Sequence, residues 1–577
     1  MRKKGAPKIS WKKRSIFWDL PYWQHLEVRH CLDVMHVVKN VCDSMVGTLL
    51  NISGKTKDGI NARKDMQFLN IRPDLQPAEK EREKGKTCTY LKPAMHTLSK
   101  AEKKSLCECL HGVKVPSGYS SNIKNLVSME DLKLTGMKSH DCHVLMTQLL
   151  PVAIRGILPP PVRQTITKLC FFFNAICCKV TDPDTLDALQ KEVVVTLCHL
   201  EMYFPPSFFD IMVHLTVHLI REIKMCGPVF LRYMYPFERY MGLLKGYVRN
   251  RYRPEGSIVR AYAAEEVIEF CTNYLDDVKA IGIPKSRHEG RLHGVGTIGG
   301  KLFVPDDKTM SLAHFHVLQH LTDVHPFWDE HMTLLRQQNP KKSDKWLIGK
   351  HNEEFEGWFT RRVMQASEGE NIKETVKLLA LGPVHVVRTF QGYDINGYTF
   401  YTRNQDSKST VQNSGVTLVA VSSDLSDPRG AGPSHASMSY YGYIEEIWEL
   451  DYRRFNIPLF MCKWVDNRRG VKVDDDGFIL VDFNKAGYKD DPFILARQAA
   501  QVFYVTDPAD HSRHVVLFGK RRIIGIDNVE DEEAYDHFDE IPPFSTGMAS
   551  LPTAETGHMR IDHNEGEWVE EVSIGKS

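Results

Sequence analysis

Up to residue 382 the apolar residues of this chain mostly recur every three or four positions. Beyond residue 438 they fall into short runs rich in Val, Ile, Phe, Tyr and Trp, set apart by turn residues. The first period is that of helices with one buried face, and the second pattern is that of strands. The change limits the chain to an α+β, multidomain organisation, with a mostly α-helical N-terminal two thirds followed by a small β-barrel-like C-terminal domain.

The helical part reads element by element. In residues 24–50, Leu32, Met35, Val38, Cys42, Met45 and Leu49 form one stripe. A helix over 140–157 is expected to stop at Pro159, Pro160 and Pro161, because proline lacks the N–H that a helix interior uses. The stretch 182–204 opens on Asp182 and Asp184, acids suited to the positive end of a helix, and Pro205 and Pro206 end it. Ser207 and Asp210 have capping-box spacing for the next helix. Pro236 fits the first turn of a third, whose ridge is Phe237, Met241, Leu244 and Val248, and Ser257 begins a fourth.

These breaks set the domain expectations. Residues 61–160 read as a helical and charged connecting region containing the run EKEREKGK, and 161–280 as an all-helical unit. Residues 281–403 read as a connector followed by a helical segment, and 404–437, with its Ser, Gly, Pro and Asp clusters, as a linker. Residues 438–525 hold five strand-like runs, expected to close into a barrel and to fold alone because the linker has few anchoring residues. Residues 526–577 read as an acidic disordered tail: from Asn528 to the end there are thirteen acids against two cations.

The net charge of +1 gives no global field toward nucleic acid, although the first fourteen residues hold seven cations and no acid. Thirteen cysteines without a spaced framework suit a reduced, intracellular protein. No apolar run reaches the roughly 18 residues of a membrane span, and the basic start lacks the apolar region of a secretory signal. No membrane partner is expected. The short runs RKK and KKR suit a nuclear address.

Few constellations carry chemistry. Glu238 is either a first-turn carboxylate paired with Arg239 or Arg232, or a metal ligand completed by other parts of the chain. His214, His218 and Glu222 lie on one helix face at a spacing that can hold zinc. HLTVH lacks the Glu beside the first His that a metalloprotease uses, so packing histidines are the stronger reading. Asp33 and His36 share a face and suit a local hydrogen bond. HDCH at 140–143 and CEC at 107–109 are too short for a four-ligand site. GVGTIGG at 294–300 has the glycine spacing of a dinucleotide loop, but no apolar strand precedes it and no amphipathic helix follows, so it reads as a flexible connector.

Longer stretches carry a resemblance. SIFWDLPYW, CLDVMHVVKNV, MKSHDCHVLMTQLLPVAIRGIL, LCHLEMYFPPSFFDIMVHLTVHL, GPVFLRYMYPFERYMGLLKGYVRNRYRPEGSIV, QGYDINGYTFYTRNQDSKSTVQNSGV and YYGYIEEIWELDY lie along most of residues 8–525. In these the chain resembles the C-terminal part of plant CACTA (En/Spm-type) transposases, whose two domains of unknown function map to residues 165–280 and 438–515. The resemblance implies a nuclear cut-and-paste transposase with an RNase H-like core, in which two aspartates and one glutamate hold two Mg²⁺ or Mn²⁺ ions for DNA strand cleavage and transfer. Its partners would be transposon-end DNA and a second transposon-encoded protein.

Residue by residue, the resemblance matches Glu238 to the acidic residue on the last core helix, and Asp33 and His36 to a D-x-x-H signature. It makes residues 1–60 the end of the core. It also places Arg239, Lys245, Arg249, Arg251 and Arg253 where they would meet DNA phosphates. Family members carry several hundred residues before SIFWDLPYW, so the strands bearing both aspartates are expected to be missing, and one carboxylate supplies too few ligands for two metals. The expectation is a truncated, transposon-derived protein that binds no metal alone, lacks strand-transfer activity alone and retains DNA- or protein-binding modules. The alternatives are a catalytic component completed by another polypeptide, and a host-recruited nuclear regulatory or chromatin-binding protein.

Overall fold

Asp33 ends an extended stretch by accepting the His36 N–H, and the first long helix, α1 (Val34–Leu49), starts from that cap. Its stripe Val38, Cys42, Met45 and Leu49 is buried, as the spacing predicts. After α2 (Ile60–Phe68), the elements that pack around α1 are α3 (Lys100–Gly112), α4 (Ser139–Val144), α5 (Leu150–Ala153), α6 (Pro160–Cys177), α7 (Leu186–Tyr203), α8 (Ile211–Leu215) and α9 (Leu219–Cys226). The structure, a computed structural model, describes residues 14–82, 86–120, 122–275, 294–366, 371–422, 436–522, 537–538 and 557–569.

The prolines do more than stop a helix. Pro159 is the N-cap of α6, and Pro160 and Pro161 form its first turn, where no N–H partner is needed. One cap departs from expectation. Ser207 donates its hydroxyl to the Lys57 carbonyl, and Asp210 is the residue that caps α8, accepting from the N–H groups of Met212 and Val213. Beyond α9 the chain leaves this core as a two-helix arm, α10 (Tyr235–Tyr247) and α11 (Pro254–Tyr274). The ridge expected to pack α10 is on the surface: Phe237 is 62% and Met241 63% exposed, and α10 buries no residue.

A second helical layer, α12 (Asp307–His320), α13 (His325–Gln338), α14 (Asp344–Met364) and α15 (Glu374–Ala380), covers one face of the large sheet. In chain order the strands are β1 (Ala78–Arg82), β2 (Lys86–Leu91), β3 (Val127–Ser128), β4 (Lys133–Leu134), β5 (Val295–Ile298), β6 (Lys301–Phe303), β7 (Val387–Phe390), β8 (Gly392–Ile395), β9 (Tyr398–Tyr401) and β10 (Gly415–Ser422). Then come β11 (Ala436–Asp451), β12 (Asn456–Val465), β13 (Val471–Val473), β14 (Ile479–Val481), β15 (Ala486–Gly487), β16 (Phe493–Leu495), β17 (Ala500–Thr506) and β18 (His514–Phe518).

The eleven-stranded sheet runs β13-β14-β18-β17-β10-β11-β12-β15, with β16 on β12, and β7 linking β6 to β11. It corrects the barrel reading, since no closed barrel is found among the described residues. The reason lies in β11. Its sixteen residues pair with β10, β12 and β7, and a register shift between Ile444 and Glu446 bends it. A strand that long is shared between neighbours instead of closing five short ones into a ring.

Two further readings are corrected. GVGTIGG is a β-turn-β unit: β5 pairs β8, Gly299 turns at φ 74, and β6 pairs β7. The stretch 404–437 is not all linker, because β10 lies within it and pairs β11 from Gly415–Tyr443 to Ser422–Ala436. A short helix, α16 (Arg403–Ser407), precedes it.

Both sheet faces are covered. Trp448, Leu450 and Leu459 pack with Val317, Phe355 and Phe359, whereas Ile444, Ile447 and Phe460 pack with Phe390, Tyr393 and Phe400. Phe478, Leu480, Phe503, Val505, Val515 and Leu517 join the helical core of α1–α9.

Part of the acidic C-terminal stretch is folded, which corrects the disordered-tail reading for residues 557–569; residues 523–536, 539–556 and 570–577 lie outside the described residues. Two short strands, β19 (Arg521–Arg522) and β20 (His537–Phe538), pair, and β21 (Glu567–Val569) adds to β2. Arg560, 4% exposed, donates to Glu102 at 2.7 and 2.9 Å. A buried guanidinium matched to a carboxylate anchors this otherwise acidic segment. Among the described residues no helix is long and apolar enough to cross a membrane.

Candidate functional site

Some of the residues singled out by sequence lie near the root of the α10–α11 arm. Glu222, on α9, accepts the Leu32 N–H with both oxygens, at 3.0 and 2.9 Å, and Arg232 donates to it at 3.3 Å. This carboxylate therefore joins the residue before Asp33 to the segment that leads into α10. It also bears on His214 and His218, which are not the packing histidines that the sequence favoured. His214 and His218 do approach, Nε2 to Nε2 at 3.2 Å, but both are exposed and Glu222 is occupied elsewhere.

Asp33 and His36 form the local contact that their spacing predicts. The Asp33 carboxylate accepts the His36 N–H at 3.3 Å, and its other oxygen lies 3.8 Å from His36 Nδ1. Glu238 stands in the first turn of α10, where the helix dipole favours a negative charge. Tyr235, just before it, senses both acids. Burial pushes its phenol well above the ordinary range, with smaller contributions in the same direction from Cys177, Cys142, Asp33 and Glu238. Tyr235 is a side chain that the sequence did not single out.

HDCH completes the cluster. The His140 ring meets Tyr235 edge-on at 6.3 Å, and His143 meets Tyr233 at 6.1 Å. Burial pulls His140 down to about 4, and Lys520 and Arg239 push the same way, so its imidazole is neutral at physiological pH. Asp141 accepts the Lys138 N–H at 2.9 Å as a helix cap. The motif thus packs and orients the root of the arm. Lys520, distant in sequence, has no local signal that could have found it.

The arm carries the cations. Its turn is held by Asn250, whose N–H donates to Ser257 Oγ at 3.1 Å and whose Oδ1 accepts the Tyr252 N–H at 3.0 Å. Lys245, Arg249, Arg251 and Arg253 are exposed there, and Arg239 is half-buried nearer the root. Among the described residues no group of three or more His, Cys, Asp or Glu side chains is arranged to hold a metal ion.

Elsewhere, a cavity of about 320 Å³ opens between α1, α3 and β21, lined by Asp58, Arg63, His96, Lys100, Lys103 and Trp568 among others. Its floor is an ionic group: Asp58 accepts from Arg63 at 2.6 and 2.7 Å and lies 3.0 Å from His96 Nε2.

Two segments of the chain match known families. Residues 176–289 match a domain of unknown function, DUF4218, and residues 448–516 match another, DUF4216. The first includes the whole arm and the second most of β11–β18. Both domains are typical of plant transposon-derived proteins. No curated protein and no protein of solved structure matches the chain.

Proposed function

We propose that this chain is a transposon-derived protein of the CACTA (En/Spm) type that binds DNA in the nucleus, with the α10–α11 arm as its DNA-contacting element. The observation that supports this best is the concentration of Lys245, Arg249, Arg251 and Arg253 at exposed positions around one turn of an arm standing clear of the core, in a chain with a net charge of only +1. Such a cluster neutralises backbone phosphates and releases counterions, so binding is salt-dependent and little dependent on sequence. The test is duplex-DNA binding by fluorescence anisotropy across a salt series. Lys245→Ala with Arg249→Ala and Arg251→Ala should weaken binding and reduce the slope of log affinity against log salt by about 2–3. Unchanged affinity and slope would remove the arm from the interface.

The reading gives the chain no strand-transfer activity by itself. Mg²⁺ or Mn²⁺ of the kind implied by the resemblance does not fit the donors present. Asp33 already caps α1, and Glu238 has no second carboxylate arranged with it among the described residues. A second reading, a catalytic component acting with a core and a second transposon-encoded protein supplied from outside this chain, draws on the resemblance, which matches Glu238 in the first turn of α10 to the family's acidic residue. Metal-dependent DNA nicking by the purified chain that is lost in Glu238→Gln would favour this second reading over the first.

A further inference from the structure

α11 presents an apolar ridge that nothing among the described residues covers. Val259, Ala263, Val267, Phe270 and Tyr274 follow one another at spacings of four, four, three and four, which sets them on a single stripe. Val259 is 67%, Val267 61%, Phe270 78% and Tyr274 87% exposed. The stripe faces away from α10. Glu265, on the opposite side of α11, takes the Tyr247 hydroxyl, and Thr272 on that same side is buried. Soluble monomers rarely leave a continuous apolar strip of this kind in water.

The charges beside the ridge indicate what covers it. At 100° per residue, Arg260 falls along one flank, below Arg253 at the N-cap, and Glu255, Glu266 and Glu269 fall along the other. Two copies of α11 packed in parallel about a twofold axis bring the basic flank of each against the acidic flank of the other. Antiparallel packing sets arginines against the arginine flank and glutamates against glutamates. We propose that this ridge is the interface of a homodimer in which the α11 helices of two copies pack in parallel, with Arg260 facing Glu266 of the second copy.

The pairing is self-complementary and closes after two copies. A contact along one helix of about 30 Å suits the low end of specific interfaces, on the order of 1,200 Å² in all, so the dimer dissociates on dilution. It does not rest on DNA binding. The Lys245, Arg249 and Arg251 substitutions test that reading and leave the ridge intact.

The experiment is sedimentation of the full chain over a concentration series. The wild type is expected to pass from monomer to dimer. Val267→Asp with Phe270→Asp, both on the surface, should hold it monomeric without lowering its thermal transition. Arg260→Glu should weaken the dimer at least tenfold, and Arg260→Glu with Glu266→Arg should restore it. A wild type that stays monomeric up to its solubility limit overturns the proposal, as does a dimer indifferent to Val267→Asp with Phe270→Asp. A double charge exchange that fails to restore the dimer overturns the parallel pairing. A monomer whose Phe270→Asp variant loses DNA affinity would assign the ridge to nucleic acid instead.

Discussion

Arg155 grips Asp507 with two parallel hydrogen bonds, Nε to Oδ1 and Nη2 to Oδ2, each 3.0 Å, although 352 positions separate them. Its remaining amine donates to Asp474 at 2.5 Å, and the guanidinium lies 4.8 Å over the Phe478 ring. Arg155 follows α5, whereas Asp474 and Asp507 immediately follow β13 and β17, so one buried cation clamps the helical core to the ends of two sheet strands. Removing one partner of such a buried pair strands the other charges. Arg155→Ala is expected to cost about 3–5 kcal/mol in urea unfolding; a loss below about 1 kcal/mol would show that the clamp is dispensable.

The same junction reverses the expectation for residues 438–525. Alone, that fragment lacks β6, β7 and β10. It also exposes Phe478, Leu480, Phe503, Val505, Val515 and Leu517, which the helical core covers in the whole chain. Each such side chain stabilises by about 1.5–3 kcal/mol when buried, so the fragment is expected to show no cooperative thermal transition. A sharp transition with β-type circular dichroism would restore the independent domain.

What was legible in the sequence was local. The Val38–Leu49 stripe of α1 and the strand-like runs from β11 onward depend on neighbours a few residues apart, and the structure keeps both. What was not legible depends on distant partners. β10 is too Ser- and Gly-poor to be a typical linker, yet nothing local reveals that Val416 pairs with Gln501. Arg560 sits among acids and pairs with its neighbour Asp562, but its burial also depends on Glu102, 458 positions away, and on the Thr97 carbonyl. At the candidate site, Asp33 and His36 were legible as an i,i+3 pair, but the Glu222 carboxylate that joins Leu32 to Arg232 was not.

Asp58 predicts a pH dependence. Burial would raise its carboxyl, but the His96 hydrogen bond and charge, followed by those of Arg63, outweigh burial and hold it well below the usual carboxylate range. A carboxyl depressed in the folded state contributes stability above its unfolded value of about 3.9, and that contribution is lost as pH falls toward the folded value. Asp58→Asn should therefore lower Tm at pH 7, with the gap to wild type narrowing below about pH 4. A gap that stays constant from neutral to acid pH would contradict the assignment.

Gly296 tests the placement of GVGTIGG, whose β5 pairs β8 beneath Phe390. A Cβ there would lie 2.1 Å from Phe390 Cε1, so the ring closes over bare backbone. Gly296→Val must displace Phe390, which is 9% exposed in the sheet core, and overpacking of this kind costs about 1–3 kcal/mol. Gly300→Ala, with its nearest atom 3.7 Å away, serves as the tolerant control. Equal stability of the two variants would mean that the segment does not pair as described.

Glu222 offers the sharpest separation between a metal ligand and a structural carboxylate. Both its oxygens accept the Leu32 N–H, and Arg232 donates to one of them. Glu222→Ala leaves a part-buried N–H and a guanidinium without their acceptor, at a cost of about 1–3 kcal/mol. Glu222→Gln keeps an oxygen for Leu32 and gives up only the charge toward Arg232, so it should lose less. The loss should be local as well as global: amide exchange at Leu32 and at the first turn of α1 should accelerate in Glu222→Ala. His214→Ala and His218→Ala, both at exposed positions, should change stability by no more than about 0.5 kcal/mol. If zinc raised the Tm of the wild type and all three substitutions abolished that gain, Glu222 would be a ligand and the clamp to Leu32 secondary. If zinc leaves Tm unchanged while Glu222→Ala alone lowers it, the carboxylate holds α1 against the root of the arm.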